Sequence, residues 1–193
     1  ERNIYLADQG RDTFLMNTKE MKLVGVHNAE NVMAAIAIAE AMRVPREIYL
    51  NTIKNFDAIE HRIEYVATIK DVVYYNDSKG TNTDASKKAL EAMENKTVLI
   101  AGGYDKGSEY DDWVEAFGDK IKCLVLLGAT ADKIEETARR HGFTNIRRVK
   151  SLQEAVVTAS ENADAGETVL LSPACASCLL YTSPSPRDLS TSR

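Results

Sequence analysis

The stretch Val72-Val73-Tyr74-Tyr75-Asn76-Asp77-Ser78-Lys79-Gly80-Thr81-Asn82 decides how this sequence folds. Its first four residues are β-branched or aromatic, the composition of a half-buried strand. Polar groups follow at once: an amide, a carboxylate, hydroxyls and an ammonium, and then a helix over residues 84–93 opened by Asp84. A second apolar run, Val98-Leu99-Ile100, leads the same way into Gly102-Gly103-Tyr104-Asp105-Lys106. Polar clusters at strand ends are informative because open α/β sheets bind ligands beyond the carboxyl ends of their strands. The N-terminus of the helix that follows offers free N–H groups and positive dipole, so the expected ligand is an anion, phosphate or carboxylate.

Outward from this stretch the pattern is regular. Residues 63–69 read as a strand joined to strand 72–76 by a tight Lys70-Asp71 turn. Downstream come strand 97–101, helix 111–117, strand 121–127, helix 131–141 ended by Gly142, and strand 146–149. Ser151 with Glu154 forms a capping-box signature that opens helix 151–162, and strand 168–171 closes the series. Strands alternating with helices of this length imply right-handed crossovers and a Rossmann-like, doubly wound, mainly parallel sheet of the α/β class.

The first sixty residues differ in character. Ile4-Tyr5-Leu6 and Phe14-Leu15-Met16 are β-prone pieces around Asp8-Gln9-Gly10-Arg11-Asp12. An isolated pair of short strands is marginal in water, so the chain is expected to begin inside a domain whose larger part lies upstream. Residues 28–42 carry apolar groups at helical spacing nearly all round, which predicts a buried helix. His27, Asn28 and Asn31 cluster at its start, where amides either cap the helix or face a ligand. Pro45 opens a second helix over 46–56, and residues 56–60 lead into His61-Arg62.

Composition narrows the function classes. Apolar residues make up 44% and charged residues 27% of the 193, the profile of a soluble globular protein. Net charge is −5 with no basic face, which argues against nucleic acid. No apolar run reaches the roughly 18 residues that span a bilayer, so a cytoplasmic protein is expected, with no membrane partner. Three cysteines make no disulfide framework, and the Cys175/Cys178 pair, lacking a second pair, reads as coincidence. Gly102-Gly103-Tyr104-Asp105-Lys106-Gly107-Ser108 fits neither G-x-x-x-x-G-K-S/T nor G-x-G-x-x-G, so it is a tight turn presenting Lys106 rather than a phosphate loop.

Each candidate residue has two readings. His61-Arg62 is either a solvated edge or an imidazole able to stack on a purine beside a planar cation suited to phosphate. Asp77 either caps the following turn or accepts the hydroxyls of a sugar. Lys79 is a surface lysine or a cation placed to neutralise a transferring phosphoryl group. Thr81, Lys106 and Ser177 are structural or bind a dianionic amino acid.

Asn76-Asp-Ser-Lys-Gly-Thr-Asn, with His61-Arg62 upstream and Gly102-Gly-Tyr-Asp-Lys downstream, resembles the Mur ligases from about Gly25 to Ser177, and within them the branch that adds D-glutamate. The resemblance implies a central ATPase domain ending near residue 60, a C-terminal glutamate-ligase domain over 61–177, and a monomer in peptidoglycan precursor synthesis. It implies that Asn28, Asn31 and His61 lie against adenine, Arg62 on the ATP phosphates and Asp77 on the ribose. Lys79 and Arg62 then act in catalysis, and Lys79, Thr81, Lys106 and Ser177 hold substrate. The implied reaction consumes ATP with Mg²⁺ and joins UDP-N-acetylmuramoyl-L-alanine to D-glutamate through an acyl phosphate, as the C-terminal domain closes over the central one. The phosphate loop and metal ligands of such an enzyme would lie before residue 1, so this chain alone is expected to be inactive and no metal ligand is expected within it. Two other readings remain open: a non-catalytic nucleotide- or amino-acid-binding module, and an amide ligase of the same architecture that adds glutamate to folate. Residues 178–193, rich in Ser, Thr and Pro, read as a disordered tail foreign to the rest.

Overall fold

The computed structural model describes residues 2–8, 10–57, 59–105 and 107–176. The expectations on Lys106, Ser177 and the tail 178–193 therefore lie outside the described residues. The chain divides into two compact units, Glu1–Ile59 and Glu60–Arg193.

In the first unit, strands β1 (Asn3–Asp8) and β2 (Arg11–Asn17) pair antiparallel about a turn in which Gly10 takes φ 80°. Helices α1 (Val26–Ala41) and α2 (Arg46–Asn55) follow. Ile4, Leu15, Met16 and Met21 pack with Ala29, Val32 and Ile36 of α1 and with Tyr49 of α2. The expectation of a helix buried nearly all round is corrected here: Val26, Met33 and Ile38 are exposed. The hairpin and α2 cover only the stripe at positions 29, 32 and 36, the i, i+3, i+7 face. Glu40 ties the two helices together, accepting from Tyr49 Oη at 2.6 Å and Arg46 Nε at 2.7 Å.

The second unit is a six-stranded sheet in the order β3-β4-β8-β5-β6-β7. Its strands are β3 (Glu64–Ile69), β4 (Val72–Asn76), β5 (Thr97–Ala101), β6 (Ile121–Leu126), β7 (Ile146–Arg148) and β8 (Thr168–Leu171). Only the β3–β4 pairing is antiparallel, across a two-residue turn in which Lys70 (φ 53°) and Asp71 (φ 63°) are both left-handed. The remaining strands are parallel and linked through helices, as the alternation of the sequence requires. Helices α3 (Thr83–Ala92), α4 (Asp111–Glu115) and α5 (Ala131–Arg140) lie side by side, while α6 (Leu152–Asn162) packs against β5 and β6.

Every residue of β5 is buried, so both sheet faces are covered there. Val98, Ile100, Cys123 and Val125 meet Ala155 and Ala159 of α6. Alternate residues Leu99, Leu124 and Leu126, which must point to the opposite face, are fully buried as well. On α4, Trp113 stacks edge-on against Phe117 at 4.8 Å, and Phe117 against Phe143 at 5.4 Å. Helix α3 is capped by Asn82, whose Oδ1 accepts from the Ala85 N–H at 2.8 Å, rather than opened by Asp84. Asp84 instead sits in the first turn, where its charge favours the dipole.

Candidate functional site

The loops beyond β4, β8 and β5 are stitched together by their backbones. Asp77 N donates to Leu171 O (2.7 Å), Ser172 N to Ile100 O (3.0 Å), Gly102 N to Pro173 O (3.0 Å) and Ala174 N to Gly80 O (2.9 Å). These bonds continue the parallel ladder past the strand ends and lay the three polar loops side by side. Glycine is required where the β5 loop meets the chain leaving β6: Gly102 has φ 104°, and a Cβ there would stand 2.1 Å from Leu127 O.

Asp77 is the anchor of the group. Its side chain is buried, with Oδ1 accepting from the Ile63 N–H at 3.2 Å and Oδ2 from Ser172 Oγ at 2.7 Å. Burial raises its pKa to about 6, against the lowering effects of the Ser172 and Ile63 hydrogen bonds and of the Arg62 charge. The capping reading of Asp77 is confined to its backbone, since Gly80 N donates to Asp77 O at 2.8 Å.

The carboxylate fixes the loop that carries His61 and Arg62. His61 (φ 68°) and Ile63 (φ 46°) are both left-handed, an uncommon state for any residue but glycine and strained for β-branched isoleucine. Three bonds hold that geometry: Ile63 N to Asp77, Lys79 N to His61 O at 3.0 Å, and His61 N to Glu64 Oε2 at 2.8 Å. His61 Nδ1 lies 3.0 Å from Asn76 Nδ2, which orients an otherwise exposed ring. Arg62 and Lys79 are exposed, while Thr81 is half-buried with its N–H on Lys79 O at 2.8 Å. The structure thus brings His61, Arg62, Lys79 and Thr81 onto neighbouring loops, with Asp77 buried beneath them.

Asn28 and Asn31 belong to the first unit. The helix starts earlier than its amides suggest, with Gly25 at the N-cap and no side-chain cap. Asn28, inside the first turn, donates Nδ2 to Val24 O at 2.7 Å instead of accepting a helix N–H, and Asn31 is exposed. Capping by these amides is therefore corrected.

Sequence reasoning missed Ser172, Ser86 and Trp113. Ser172 Oγ, besides its bond to Asp77, lies 2.9 Å from Ser86 Oγ, which accepts from Trp113 Nε1 at 3.0 Å. The available signal was positional: Ser172 follows strand β8 as Asp77 follows β4. Cys175 is buried, with Thr130 Oγ1 3.4 Å from its Sγ. Among the described residues no group of three or more His, Cys, Asp or Glu is placed to hold a metal ion. The described residues therefore do not fit Mg²⁺, and nothing below is routed through it.

An open, mainly parallel sheet with cations and a buried carboxylate gathered past adjacent strand ends is an α/β domain whose polar groups lie where such sheets bind ligands. Residues 61–175 match the family model described as Mur ligase, glutamate ligase domain, and the chain belongs to that family. It is 52% identical over 177 residues to the UDP-N-acetylmuramoylalanine--D-glutamate ligase of Lachnoclostridium phytofermentans, covering 92% of this chain and 39% of that protein. The enzyme of the same name from Clostridioides difficile is 44% identical over 183 residues, 95% of this chain and 41% of its own length. The chain thus spans about 39% of the length of the curated relatives it matches. Among solved structures, UDP-N-acetylmuramate-alanine ligase MurC from Thermotoga maritima shares the fold at TM-score 0.66 and 19% identity, over 88% of this chain and 38% of that one. MurF from Acinetobacter baumannii does so at TM-score 0.62 and 15% identity, over 93% and 40%.

Proposed function

We propose that this chain is the C-terminal part of an ATP-dependent ligase that joins UDP-N-acetylmuramoyl-L-alanine to D-glutamate during peptidoglycan precursor synthesis. The observation that carries the reading is the 52% identity, over 92% of the chain, to an enzyme named for that reaction. The geometry supports it. Arg62 offers a planar fork for phosphate oxygens, and its loop is pinned by Asp77, so the guanidinium stem starts from a fixed backbone. Lys79 and Thr81 begin the loop that enters α3, where an ammonium and a hydroxyl suit the carboxylates of the amino acid or a phosphoryl oxygen. Asp77 receives the ribose hydroxyls through the lone pairs that Ile63 and Ser172 leave open. What these residues supply is position and charge in the C-terminal half of the reaction; ATP provides the phosphoryl group that turns a poor leaving oxygen into a good one.

The test is a chimera in which residues 1–176 replace the matching part of the Lachnoclostridium phytofermentans enzyme. The chimera is expected to release ADP and form amide with D-glutamate, and the isolated 193-residue chain is expected to form none. Lys79→Ala in the chimera is expected to lower kcat on the order of 10²- to 10³-fold, the loss typical of removing one electrostatic stabiliser. A well-folded chimera that binds ATP without turnover would overturn the reading in favour of a binding module.

A further inference from the structure

We propose that Trp113, Ser86 and Ser172 form a one-directional hydrogen-bonded relay that positions the Asp77 carboxylate, making Ser172 a positioning residue of the nucleotide site. Its functional meaning rests on the reading of Asp77 given above; its existence does not. The contacts are continuous: Trp113 Nε1 donates to Ser86 Oγ at 3.0 Å, the Ser86 and Ser172 hydroxyl oxygens lie 2.9 Å apart, and Ser172 Oγ donates to Asp77 Oδ2 at 2.7 Å. Trp113 is 1% exposed, Ser86 0%, Ser172 0% and Asp77 3%, so bulk water does not serve them; their other partners are the Ile63 N–H on Asp77 and the Ser172 carbonyl beside Ser86.

Direction follows from the chemistry of the ends. An indole N–H can only donate and an ionised carboxylate can only accept. Two hydroxyls between them, with one proton each, make all three bonds in only one order: Trp113 donates to Ser86, Ser86 to Ser172, and Ser172 to Asp77. Gly80 seals the acceptor end, since a Cβ there would stand 2.3 Å from Asp77 Oδ2 and 2.6 Å from Ser172 Oγ. Ser86 lies on α3 and Trp113 on α4. The relay therefore ties both helices to the carboxylate that holds the Arg62 loop.

Protonation of Asp77 reverses the order at one end. The carboxyl group then donates to Ser172, Ser172 turns its proton to Ser86, and the Ser86 proton moves to its alternative acceptor, Ser172 O at 3.4 Å. The indole N–H stays on Ser86 but meets a differently polarised oxygen. The titration of Asp77 is thereby reported at Trp113. Arg62 is the charged group acting on Asp77, whose other close neighbours Ile63, Gly80 and Ser172 carry none. On α4, Trp113 is stacked by Tyr110 and Phe117, and His141 ion-pairs with Asp111 and Glu115 of the same helix.

Trp113 is the only tryptophan of the chain, so its indole resonance is unambiguous. In the 193-residue chain, the Trp113 Nε1–H signal and the Asp77 carboxyl carbon are followed by NMR from pH 4.5 to 8. The expected result is a step in the indole signal at the Asp77 midpoint, absent in Asp77→Asn and in Ser172→Ala. In Ser172→Ala the Asp77 midpoint is expected to rise by about one pH unit, as loss of a hydrogen bond to a charged group implies, and the chimera carrying the same substitution is expected to bind ATP about tenfold more weakly. An indole signal flat across the wild-type Asp77 midpoint overturns the proposal, whether or not the Ser172 variant folds. So does a step that persists in Asp77→Asn, because it would belong to a group other than Asp77. A relay step with ATP affinity unchanged in both variants upholds the relay and overturns the nucleotide reading of Asp77.

Discussion

Asp77 carries a tension between stability and function that its surroundings make measurable. Its pKa of about 6 lies above the usual 3.8 of an aspartate, so the native state holds this proton more tightly than the unfolded chain does. The sign follows: Asp77 favours the fold at pH values below about 4, and that contribution is lost as pH rises through about 6. Above pH 6 the ionised, desolvated carboxylate costs up to roughly 3 kcal/mol relative to its protonated form. Asp77→Asn keeps an acceptor for Ile63 N–H and removes the charge, so it is expected to be more stable than wild type at pH 8 by about 1–2 kcal/mol. Urea denaturation should show that advantage shrinking towards pH 4; an advantage independent of pH would contradict the desolvated state of the group. At this scale the sequence was half legible. A carboxylate three residues past Tyr74 stood out as a candidate strand-end ligand group, whereas Ser172, one residue past strand 168–171, belonged to no motif. Its partners Ser86 and Trp113 are 86 and 59 residues away in the chain, and no local pattern encodes such contacts. The strained backbone at His61 and Ile63 was equally invisible, because the carboxylate that holds it comes from the loop after β4, 14 residues on.

Elements were read more securely than residues, because hydrophobic period is a local signal and side-chain networks are not. The β4, β5 and β8 runs came through with their bounds, and every downstream helix lies where its spacing placed it. Ends moved where capping chemistry decided: Asn82 rather than Asp84 begins α3, and Gly25 rather than an asparagine begins α1. The α1 interior was misjudged because apolarity all round says which residues tolerate burial, not which face a neighbour covers. The β3–β4 hairpin makes the strongest prediction at this scale. Its turn requires φ > 0 at both Lys70 and Asp71, a state for which Asn-Gly is the favoured pair. Both side chains are exposed, and the one tertiary bond there, Gly166 N to Asp71 O at 2.7 Å, uses backbone. Lys70→Asn with Asp71→Gly is therefore expected to stabilise the second unit by about 1 kcal/mol or slightly more, read as a rise in denaturation midpoint at unchanged slope.

At the scale of the whole molecule the two units differ in how completely they bury what they contain. The second holds a sheet whose central strand β5 is covered on both faces, with Val98, Leu99, Ile100, Leu124 and Val125 at 0–1% exposure. The first rests on one layer of contact, and Met33 and Ile38 of α1 stand 47% and 61% exposed. Small units bury a smaller share of their surface and are correspondingly marginal, and local opening free energies follow buried apolar contact. Hydrogen exchange on the 193-residue chain is thus expected to be fast throughout Asn3–Asp8, Arg11–Asn17 and Arg46–Asn55 and slowest in Thr97–Ala101 and Ile121–Leu126. Mild urea should accelerate the first set while leaving the second protected. Equal protection in both units would mean that they unfold as one cooperative body, and that the exposed face of α1 is stabilised by something its own unit does not contain. The same contrast bears on the loops of the proposed site. The residues that pin Arg62 and Asp77 belong to the strongly buried unit, so the second unit should keep its polar loops in place, and its relay signal at Trp113, under conditions where the first has already lost its structure.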